Sequence, residues 1–277
     1  MKLLIVNPNT SPAVTEVMRL GVQAAAGPGV EVLAVTASLG ASYISSEVSY
    51  AIAAHGALDA WARHVEAEGA PDAMLLGCFG DPGVAALREA SGLPVVGLAE
   101  AAMRQAAEHG RFAIVTGGAA WVPMLERLAR GLGLGEALIG VHAVAPSGAE
   151  LLADRPRAIR LLAEACREAA GGGEEPRSVI LGGAALAGMA AEIRALIGLP
   201  IIDSVQSGAE MLLRAVRSAE AWAWPNGPSS GGAPWTGLSA ELERRLEAGS
   251  LKPLLLSDDA RTEMDLPPRG AGRRGLP

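Results

Sequence analysis

The sequence predicts an α/β fold in which two pseudo-symmetric lobes, each a short parallel sheet flanked by helices, hold the functional site in the cleft between them. Short, continuously apolar runs alternate with segments of helical periodicity, as expected when helices cover both faces of parallel strands. The second half of the chain then repeats the order of the first. With 277 residues, half of them apolar, the chain can form two cores of about 100 residues each.

The internal repeat is visible in two pairs of segments. Residues 74–78 read Met-Leu-Leu-Gly-Cys and residues 179–183 read Val-Ile-Leu-Gly-Gly, while Gly-Leu-Pro recurs at 92–94 and 198–200. Because parallel sheets bind ligands at the carboxyl ends of their strands, we expect the duplicated lobes to face each other across these edges. Cys78 would then lie on one wall of the cleft and Gly183 at the equivalent place on the other.

The chain divides into three predicted regions. We expect residues 1–98 to form the first lobe, completed by residues 205–220, and residues 99–204 to form the second. Residues 221–277 form a Pro- and Gly-rich extension, which we expect to be largely disordered apart from one short helix over residues 238–248. Its tryptophans could dock on the body or on another subunit, and we assign the extension no catalytic part.

The first lobe begins with an apolar strand over residues 2–6, followed by a turn and a helix. Ser11 is predicted as the N-cap of this helix and Pro12 as its first residue. Asn7, Thr10 and Ser11 would rim the helix N-terminus, where backbone N–H groups can hold a carboxylate or imide oxygen without an arginine. The same pattern also fits an ordinary capped helix.

A second strand over residues 30–35 and a loop lead to a long helix that starts near Ser46. Tyr43 lies in that loop and is a candidate for contact with a ligand. His55 lies on the apolar stripe of the helix, which indicates a packed or interface histidine. The apolar helix faces that carry His55 and Trp61 would suit a contact in a homo-oligomer, although the oligomeric state stays open.

Cys78 is the candidate reactive group. It follows an apolar strand over residues 73–76 and a turn at Gly77, and Asp81 and Pro82 are predicted as the N-cap and first residue of the next helix. A thiol beside a helix N-terminus lies near unpaired backbone N–H groups and the positive end of the helix dipole, which favours the thiolate. The alternative is that this cysteine simply fills core space.

The second lobe follows the same plan. Apolar strands are predicted over residues 93–98 at the end of the first lobe, and over residues 111–115, 139–144 and 179–181 in the second. Thr116-Gly117-Gly118 takes the place of the first lobe's Asn-Pro-Asn turn, and Pro123 opens the helix that follows. Cys166 lies on the apolar face of a later helix, which indicates a structural thiol.

The composition excludes several classes of function. The net charge of −7 and the scarcity of Lys/Arg clusters argue against a nucleic-acid partner. The N-terminal apolar run stops at Asn7, too short for a signal peptide or membrane span, so we expect a cytoplasmic protein. Two distant cysteines offer neither a disulfide framework nor a metal site. Without a phosphate-binding loop or dinucleotide fingerprint, no cofactor is expected, and the expected partner is a small-molecule substrate.

A cleft between duplicated lobes suits proton transfer at a carbon next to a carbonyl group. Its two walls can address opposite faces of one carbon, so that a base removes the proton on one side and an acid returns it on the other. Backbone donors at the helix N-termini would hold the resulting enolate.

Several motifs resemble those of the aspartate/glutamate/hydantoin racemase superfamily, particularly of its hydantoin and allantoin racemase branch. They are Asn-Pro-Asn-Thr-Ser at 7–11, Cys-Phe-Gly-Asp-Pro-Gly at 78–83, Gly-Leu-Ala-Glu at 97–100, Val-Thr at 115–116 and Leu-Gly at 181–182. The match runs in order over about residues 1–215. The resemblance implies a cofactor-independent racemase that uses two cysteines, one in each lobe.

The resemblance also implies roles for individual residues. Cys78 becomes one acid/base of the reaction. Five residues fall where the family binds the carboxylate or ring oxygens of its substrate: Asn7, Thr10, Ser11, Thr116 and Gly118. The remaining residues expected to contact a carboxylate or hydantoin substrate are Tyr43, Phe79, Gly117, Gly182 and Gly183.

This sequence departs from the family pattern in the second lobe. Gly183 stands where the family has its second cysteine, and Gly117 stands where it often has a second threonine. Because glycine cannot transfer a proton, the opposite face of the substrate must be served by water, by the substrate itself, or by a group from elsewhere. The candidates for such a group are Glu100, His142 and Asp203.

Three functions therefore stay open. The first is a racemase or epimerase in which Cys78 transfers a proton next to a carbonyl group of an amino acid or hydantoin-like derivative. The second is a lyase that resembles arylmalonate decarboxylase, a relative whose single site cysteine lies in its second lobe. The third is a ligand-binding protein that lost catalysis together with the second cysteine.

Overall fold

The computed structural model describes residues 1–171, 176–218 and 235–247. In these ranges the strands are β1 Lys2–Asn7, β2 Glu31–Thr36, β3 Ala73–Leu76, β4 Val95–Gly97, β5 Phe112–Gly117, β6 Leu138–Val144, β7 Ser178–Gly182 and β8 Ile201–Asp203. The helices are α1 Pro12–Ala26, α2 Glu47–Glu68, α3 Val84–Ser91, α4 Leu98–His109, α5 Trp121–Gly131, α6 Gly148–Ala153, α7 Arg155–Ala170, α8 Ala190–Arg194, α9 Ser204–Arg217 and α10 Ala240–Glu247.

The strands form two parallel sheets that have the same internal order. One sheet is ordered β2-β1-β3-β4 and the other β6-β5-β7-β8, and each pairing is parallel. Helices flank both sheets. These features confirm the predicted α/β fold, and they place β3 and β7 at corresponding positions.

The register of the strands shows that Cys78 and Gly183 occupy corresponding positions in the two sheets. Leu76 lies beside Val6 in the first sheet, and Leu181 lies beside Val115 in the second. Cys78 and Gly183 each follow two residues later, beyond the carboxyl end of the third strand. The hydrogen-bonding pattern therefore contains the same repeat that the sequence contains.

The middle strands are buried on both faces. All four side chains of β3, from Ala73 to Leu76, are inaccessible to solvent, which explains a continuous rather than an alternating apolar run. Helices α4 and α9 pack against each other, and each contacts strands of both sheets. Because α9 contacts both lobes, the assignment of residues 205–220 to the first lobe stays a prediction.

Three predicted helix boundaries are corrected by the structure. Helix α3 begins at Val84 after an N-cap at Gly83, so the interpretation of Asp81 as the N-cap of this helix is wrong. The backbone of Asp81 has a φ of 58°, which turns its side chain away from α3. Helix α5 begins two residues before Pro123, and Leu98 opens α4 instead of ending a strand.

The short helix predicted near the C-terminus is present as α10, and it packs on α2. Leu242 is 1% exposed and shares an apolar cluster with Trp61, which is 3% exposed. Arg244 of α10 pairs with Glu66 of α2 at 2.9 Å. Trp61 is therefore covered from within the chain, and the interpretation of Trp61 as a subunit contact is wrong. Most of the predicted extension over 221–277 lies outside the described residues.

Two kinds of feature are absent from the described part of the chain. No helix there has the combination of length and hydropathy that is needed to cross a bilayer. The same residues contain no group of three His, Cys, Asp or Glu side chains that could hold a metal ion together.

We predict that Leu242→Ala lowers the free energy of unfolding by about 2–5 kcal/mol, because it removes buried apolar contacts between α10 and α2. Urea denaturation followed by circular dichroism measures the change. Glu247→Ala, at the exposed end of the same helix, is the control and should leave the midpoint unchanged. Equal midpoints for the two variants would contradict the packing of α10 on α2.

Candidate active site

A cavity lies where the carboxyl ends of the two sheets meet. Its volume is about 560 Å³, including the part that opens to solvent. Both lobes contribute to its lining, which consists of Asn9, Val14, Ser42, Tyr43, Ile44, Gly77, Cys78, Phe79, Thr116, Gly117, Trp121, Gly148, Ala149, Gly182, Gly183, Ala184, Ala185 and Leu186. Cys78 and Gly183 therefore lie in one cavity.

The structure brings most of the predicted site residues together, but not all of them. Those that line the cavity are Tyr43, Cys78, Phe79, Thr116, Gly117, Gly182 and Gly183. Those outside its lining are Asn7, Thr10, Ser11 and Gly118.

Polar side chains of the Asn-Pro-Asn-Thr-Ser turn form hydrogen bonds within the turn and to the start of α1. The amide of Asn7, which is fully buried, donates to Asn9 Oδ1, to the Ser11 carbonyl and to Thr15 Oγ1. The Ser11 hydroxyl caps α1 by accepting from the Val14 N–H. These bonds hold Asn9 and Val14 at the cavity, so the turn reaches the site through residues that the sequence did not single out.

Cys78 lies in a tight loop between β3 and α3. Its N–H donates to the Leu76 carbonyl, and its own carbonyl accepts from the N–H groups of Gly80 and Asp81. The residue is 6% exposed, at the wall of the cavity. The next helix starts only at Val84, so the sulfur does not lie directly at its N-terminus as the sequence suggested.

Burial raises the pKa of the Cys78 thiol, and the nearby Asp81 carboxylate raises it further. Both effects disfavour a negative charge on the sulfur. The expectation that helix α3 favours the thiolate is therefore wrong, because desolvation acts on the sulfur directly while the helix begins too far away. The resting group is a protonated thiol.

Asp81 is a buried carboxylate that caps α4. Its Oδ1 accepts from the Ala99 N–H at 2.9 Å and its Oδ2 accepts from the Glu100 N–H at 2.7 Å. Burial raises the pKa of Asp81 to about 7, although these two hydrogen bonds oppose the rise. The side chain thus links the cysteine loop to a helix that begins 17 residues after it in sequence.

Three contacts across the cleft hold the two lobes together at the cavity. The Phe79 ring packs on Gly182, where a Cβ atom would lie 2.2 Å from the nearest ring carbon. Trp121 packs in the same way on Gly80. The Tyr43 hydroxyl donates to the Gly117 carbonyl at 2.9 Å, and burial raises its pKa.

The wall opposite Cys78 consists of backbone, apolar side chains and the hydroxyl of Thr116. Gly183 has a φ of 151°, and its N–H donates to the Ser204 hydroxyl at 3.2 Å. A Cβ atom at Gly183 would lie 3.2 Å from two carbons of Leu186. The Thr116 hydroxyl donates to the Gly182 carbonyl at 2.8 Å.

The three groups considered as replacements for the second cysteine do not line the cavity. Glu100 pairs with Arg88 at 2.7 Å and with Arg104 at 3.0 Å in the first turn of α4. Asp203 caps α9, and His142 lies in β6. Each of these residues has a structural position away from the lining, so the hypothesis that one of them serves the opposite face is not supported.

Several lining residues were missed by sequence reasoning. Trp121 and Ser42 carry side chains suited to ligand contact, but neither belongs to a recognisable local motif. Trp121 reaches the cavity by packing on Gly80, a contact between residues far apart in sequence. The adjacency of Ser42 to Tyr43 was the one available signal.

The described residues that line the cavity have no charged side chain. Their polar groups are the amide of Asn9, the hydroxyls of Ser42, Tyr43 and Thr116, the indole N–H of Trp121 and the sulfhydryl of Cys78. The arrangement can therefore bind an uncharged polar molecule and exchange a proton with it at the sulfur.

Comparisons with known proteins agree with the fold. A family profile described as Asp/Glu/Hydantoin racemase matches residues 3–212. The hydantoin racemase of Paenarthrobacter aurescens is 31% identical over 208 residues, which cover 75% of this chain and 87% of that protein. The solved structure of allantoin racemase from Klebsiella pneumoniae has a TM-score of 0.80 at 29% identity, covering 88% of this chain and 99% of that one.

More distant structures share the fold alone. A liganded double mutant of arylmalonate decarboxylase, with one cysteine introduced and another replaced, has a TM-score of 0.57 at 20% identity. The match covers 78% of this chain and 93% of that one. The resemblance indicated by the sequence motifs is confirmed by the family profile, the hydantoin racemase and the allantoin racemase.

We predict that Gly182→Ala destabilises the contact between the lobes, lowering the free energy of unfolding by about 1–3 kcal/mol, because the new methyl group overlaps the Phe79 ring. Thermal unfolding measures the loss. Gly131→Ala, at a position with no other atom within 4 Å of the added carbon, is the matched control. A loss no greater than that of the control would contradict the close contact.

We also predict that alkylation of Cys78 by iodoacetamide is slow at pH 7 and accelerates steadily as the pH rises through 9, because the raised pKa keeps the thiol protonated. Mass spectrometry of a Cys166→Ser variant isolates the reaction of this one thiol. A rate that has already reached its plateau by pH 7 would show a low thiol pKa and contradict the structure.

Proposed function

This chain belongs to the Asp/Glu/hydantoin racemase family, and on that premise we propose that it transfers a proton at a carbon next to a carbonyl group, with Cys78 as the acid/base. The observation that carries the proposal is the position of the Cys78 sulfhydryl in a cavity that both lobes line. The hydantoin racemase and the allantoin racemase named above are isomerases, and the proposed activity is of that class.

An uncharged ring is the substrate class that the cavity favours. Burial of the carboxylate and ammonium groups of a free amino acid is costly where no opposite charge faces them. A hydantoin-like imide instead offers carbonyl and N–H groups, which can pair with the side chains of Asn9, Ser42 and Thr116. Phe79 and Trp121 provide an apolar surface for a substituent on the ring.

The proposed chemistry uses the sulfur in both protonation states. The thiolate, formed by loss of a proton to solvent, takes the proton from the ring carbon, and the C–H electron pair moves toward the carbonyl oxygen to form an enolate. The thiol then returns a proton to the same carbon. Because the raised pKa favours the thiol, the delivery of a proton is the better supported half of this cycle.

On the opposite face of the substrate, the part of the lining that the structure describes offers no side-chain acid. Gly183 lies there, Leu186 packs beside it, and the Thr116 hydroxyl is bonded to a carbonyl. We therefore propose that water in the open part of the cavity exchanges the proton on this face. This assignment predicts slow racemisation compared with the exchange that occurs on the Cys78 face.

The single sulfhydryl also favours a second candidate function, that of a lyase. When a malonate-type acid loses carbon dioxide, the electron pair of the broken C–C bond stays on the carbon as an enolate. One thiol then suffices, because only one proton must be delivered and only one face needs a donor. Arylmalonate decarboxylase, which has this fold, is named for such a reaction.

We predict that 5-substituted hydantoins exchange their ring C–H for deuterium in heavy water in the presence of the protein, and that Cys78→Ser slows this exchange about 100-fold or more. Proton NMR follows the exchange and polarimetry follows racemisation. Cys166→Ser, which changes the buried thiol of α7, is the matched control and should retain the rate within about twofold.

Other outcomes of the same experiment select the alternatives. Release of carbon dioxide from arylmalonates without hydantoin exchange would support the lyase. Unchanged exchange in Cys78→Ser would refute the role of this thiol. Thermal stabilisation by hydantoins with no turnover of either substrate class would refute an enzymatic function and indicate a binding protein.

A further inference from the structure

Two buried carboxylates hold helix N-termini at corresponding positions in the two sheets. Asp81 accepts from the Ala99 and Glu100 N–H groups at the start of α4. Asp203 accepts from the N–H groups of Val205 and Gln206 at the start of α9, at 2.9 Å and 3.1 Å. Each helix follows the fourth strand of its sheet.

The two carboxylates fill equivalent space although they come from different places in the chain. Leu76 pairs with Gly97 in the first sheet, and Leu181 pairs with Asp203 in the second, so Gly97 is the counterpart of Asp203. A Cβ atom at Gly97 would lie 2.2–2.5 Å from the carboxyl atoms of Asp81. The Asp81 carboxyl group thus occupies the space that a side chain at position 97 would take.

The two capping carboxylates come from different segments of the chain, and only one of these segments contains the sulfhydryl. Asp203 belongs to the strand that precedes the helix it caps, and it accepts from the N–H of Gly188, in the loop after Gly183, at 2.8 Å. Asp81 belongs to the loop of Cys78 itself, and its N–H donates to the Cys78 carbonyl at 3.1 Å. Within the described residues, the loop that contains Cys78 supplies the carboxylate that caps α4, whereas the loop after Gly183 does not supply the carboxylate that caps α9.

We propose that Asp81 is a positioning residue for Cys78: by capping α4 it fastens the cysteine loop to the N-terminus of that helix and fixes where the sulfur lies in the cavity. The proposal rests on the function proposed above for Cys78. The loop receives further support from the Tyr50 hydroxyl, which donates to the Gly80 carbonyl at 2.8 Å, and from the packing of Trp121 on Gly80.

Charged side chains of the neighbouring helices α3 and α4 act on the pKa of Asp81. Arg88 of α3 lowers the pKa of Asp81, whereas Glu100 of α4 raises it, and burial is the largest cause of the rise. Burial raises the pKa of Tyr50 on α2 to about 12, and the Asp81 carboxylate contributes to that rise. At Cys78, too, burial is the largest cause of the raised pKa and Asp81 adds to it. Replacement of Asp81 by a neutral residue should therefore favour the Cys78 thiolate.

The test compares Asp81→Asn with Asp203→Asn, both in the Cys166→Ser background. Each asparagine keeps one acceptor oxygen but turns an NH₂ donor toward a second backbone N–H, so both variants weaken a helix cap. In Asp81→Asn we expect the alkylation rate of Cys78 at pH 8 to rise about fivefold or more, because more thiolate is present and the loop is looser. We also expect kcat for hydantoin exchange to fall about tenfold or more, with KM within about twofold.

Asp203→Asn should lose similar thermal stability while the alkylation profile and kcat stay near those of the parent. If both variants alter Cys78 alkylation equally, or if neither does, the proposal is refuted. The alkylation measurement needs no substrate, so it tests the link between Asp81 and Cys78 even when the exchange reaction is absent and the proposed function fails. Loss of the carboxylate charge alone also favours the thiolate, and the paired variant below, which keeps a carboxylate in that space, separates this effect from positioning.

A second variant separates capping from positioning and remains informative where Asp81→Asn does not fold. Asp81→Ala combined with Gly97→Asp moves the carboxylate to the arrangement of the second lobe, since the Asp81 carboxyl atoms are the nearest obstacle at position 97. We expect this pair to recover most of the thermal stability while Cys78 alkylation and kcat remain altered. Full recovery of alkylation and kcat would show that Asp81 is only a helix cap, and would overturn the proposal.

Discussion

The close contact between the Phe79 ring and the backbone at Gly182 is the constraint on which the cavity depends. It joins the carboxyl end of β3 to that of β7, so the residues that follow these strands face each other across a short distance. The Tyr43 hydroxyl and the Trp121 ring add a hydrogen bond and a second ring contact between the lobes. These side chains pack against glycines and backbone atoms. A larger residue in place of Gly80 or Gly182 would therefore push the lobes apart.

Much of the fold was predictable because the signals that specify it are local or repeated. The apolar run at β3 reflects burial on both faces, and the repeat of Leu-Gly before Cys78 and Gly183 gave the correspondence that the strand register confirms. The resemblance to the racemase family rested on the same segments. Element boundaries were less predictable, as α3 and α5 illustrate.

The site was predicted less well, because several of its polar groups form hydrogen bonds with residues that are distant in sequence. Local rules assign Asp81 to the helix that follows it, but the side chain caps α4 instead, since the left-handed backbone at Asp81 directs it there. Asn7 and Ser11 were expected to face a ligand, but they satisfy N–H and carbonyl groups of their own turn. The thiolate expectation relied on a helix dipole and neglected desolvation, which dominates at a buried sulfur.

The asymmetry between the lobes bears on how this chain could change. At Gly183, a cysteine created by one substitution would inherit a φ of 151° and a Cβ contact of 3.2 Å with Leu186. Such a backbone conformation is poorly accessible to residues that have a side chain. A second cysteine at this position would therefore demand concerted changes in the loop and in Leu186, so a single mutation is not enough to place a sulfhydryl on both walls of the cavity.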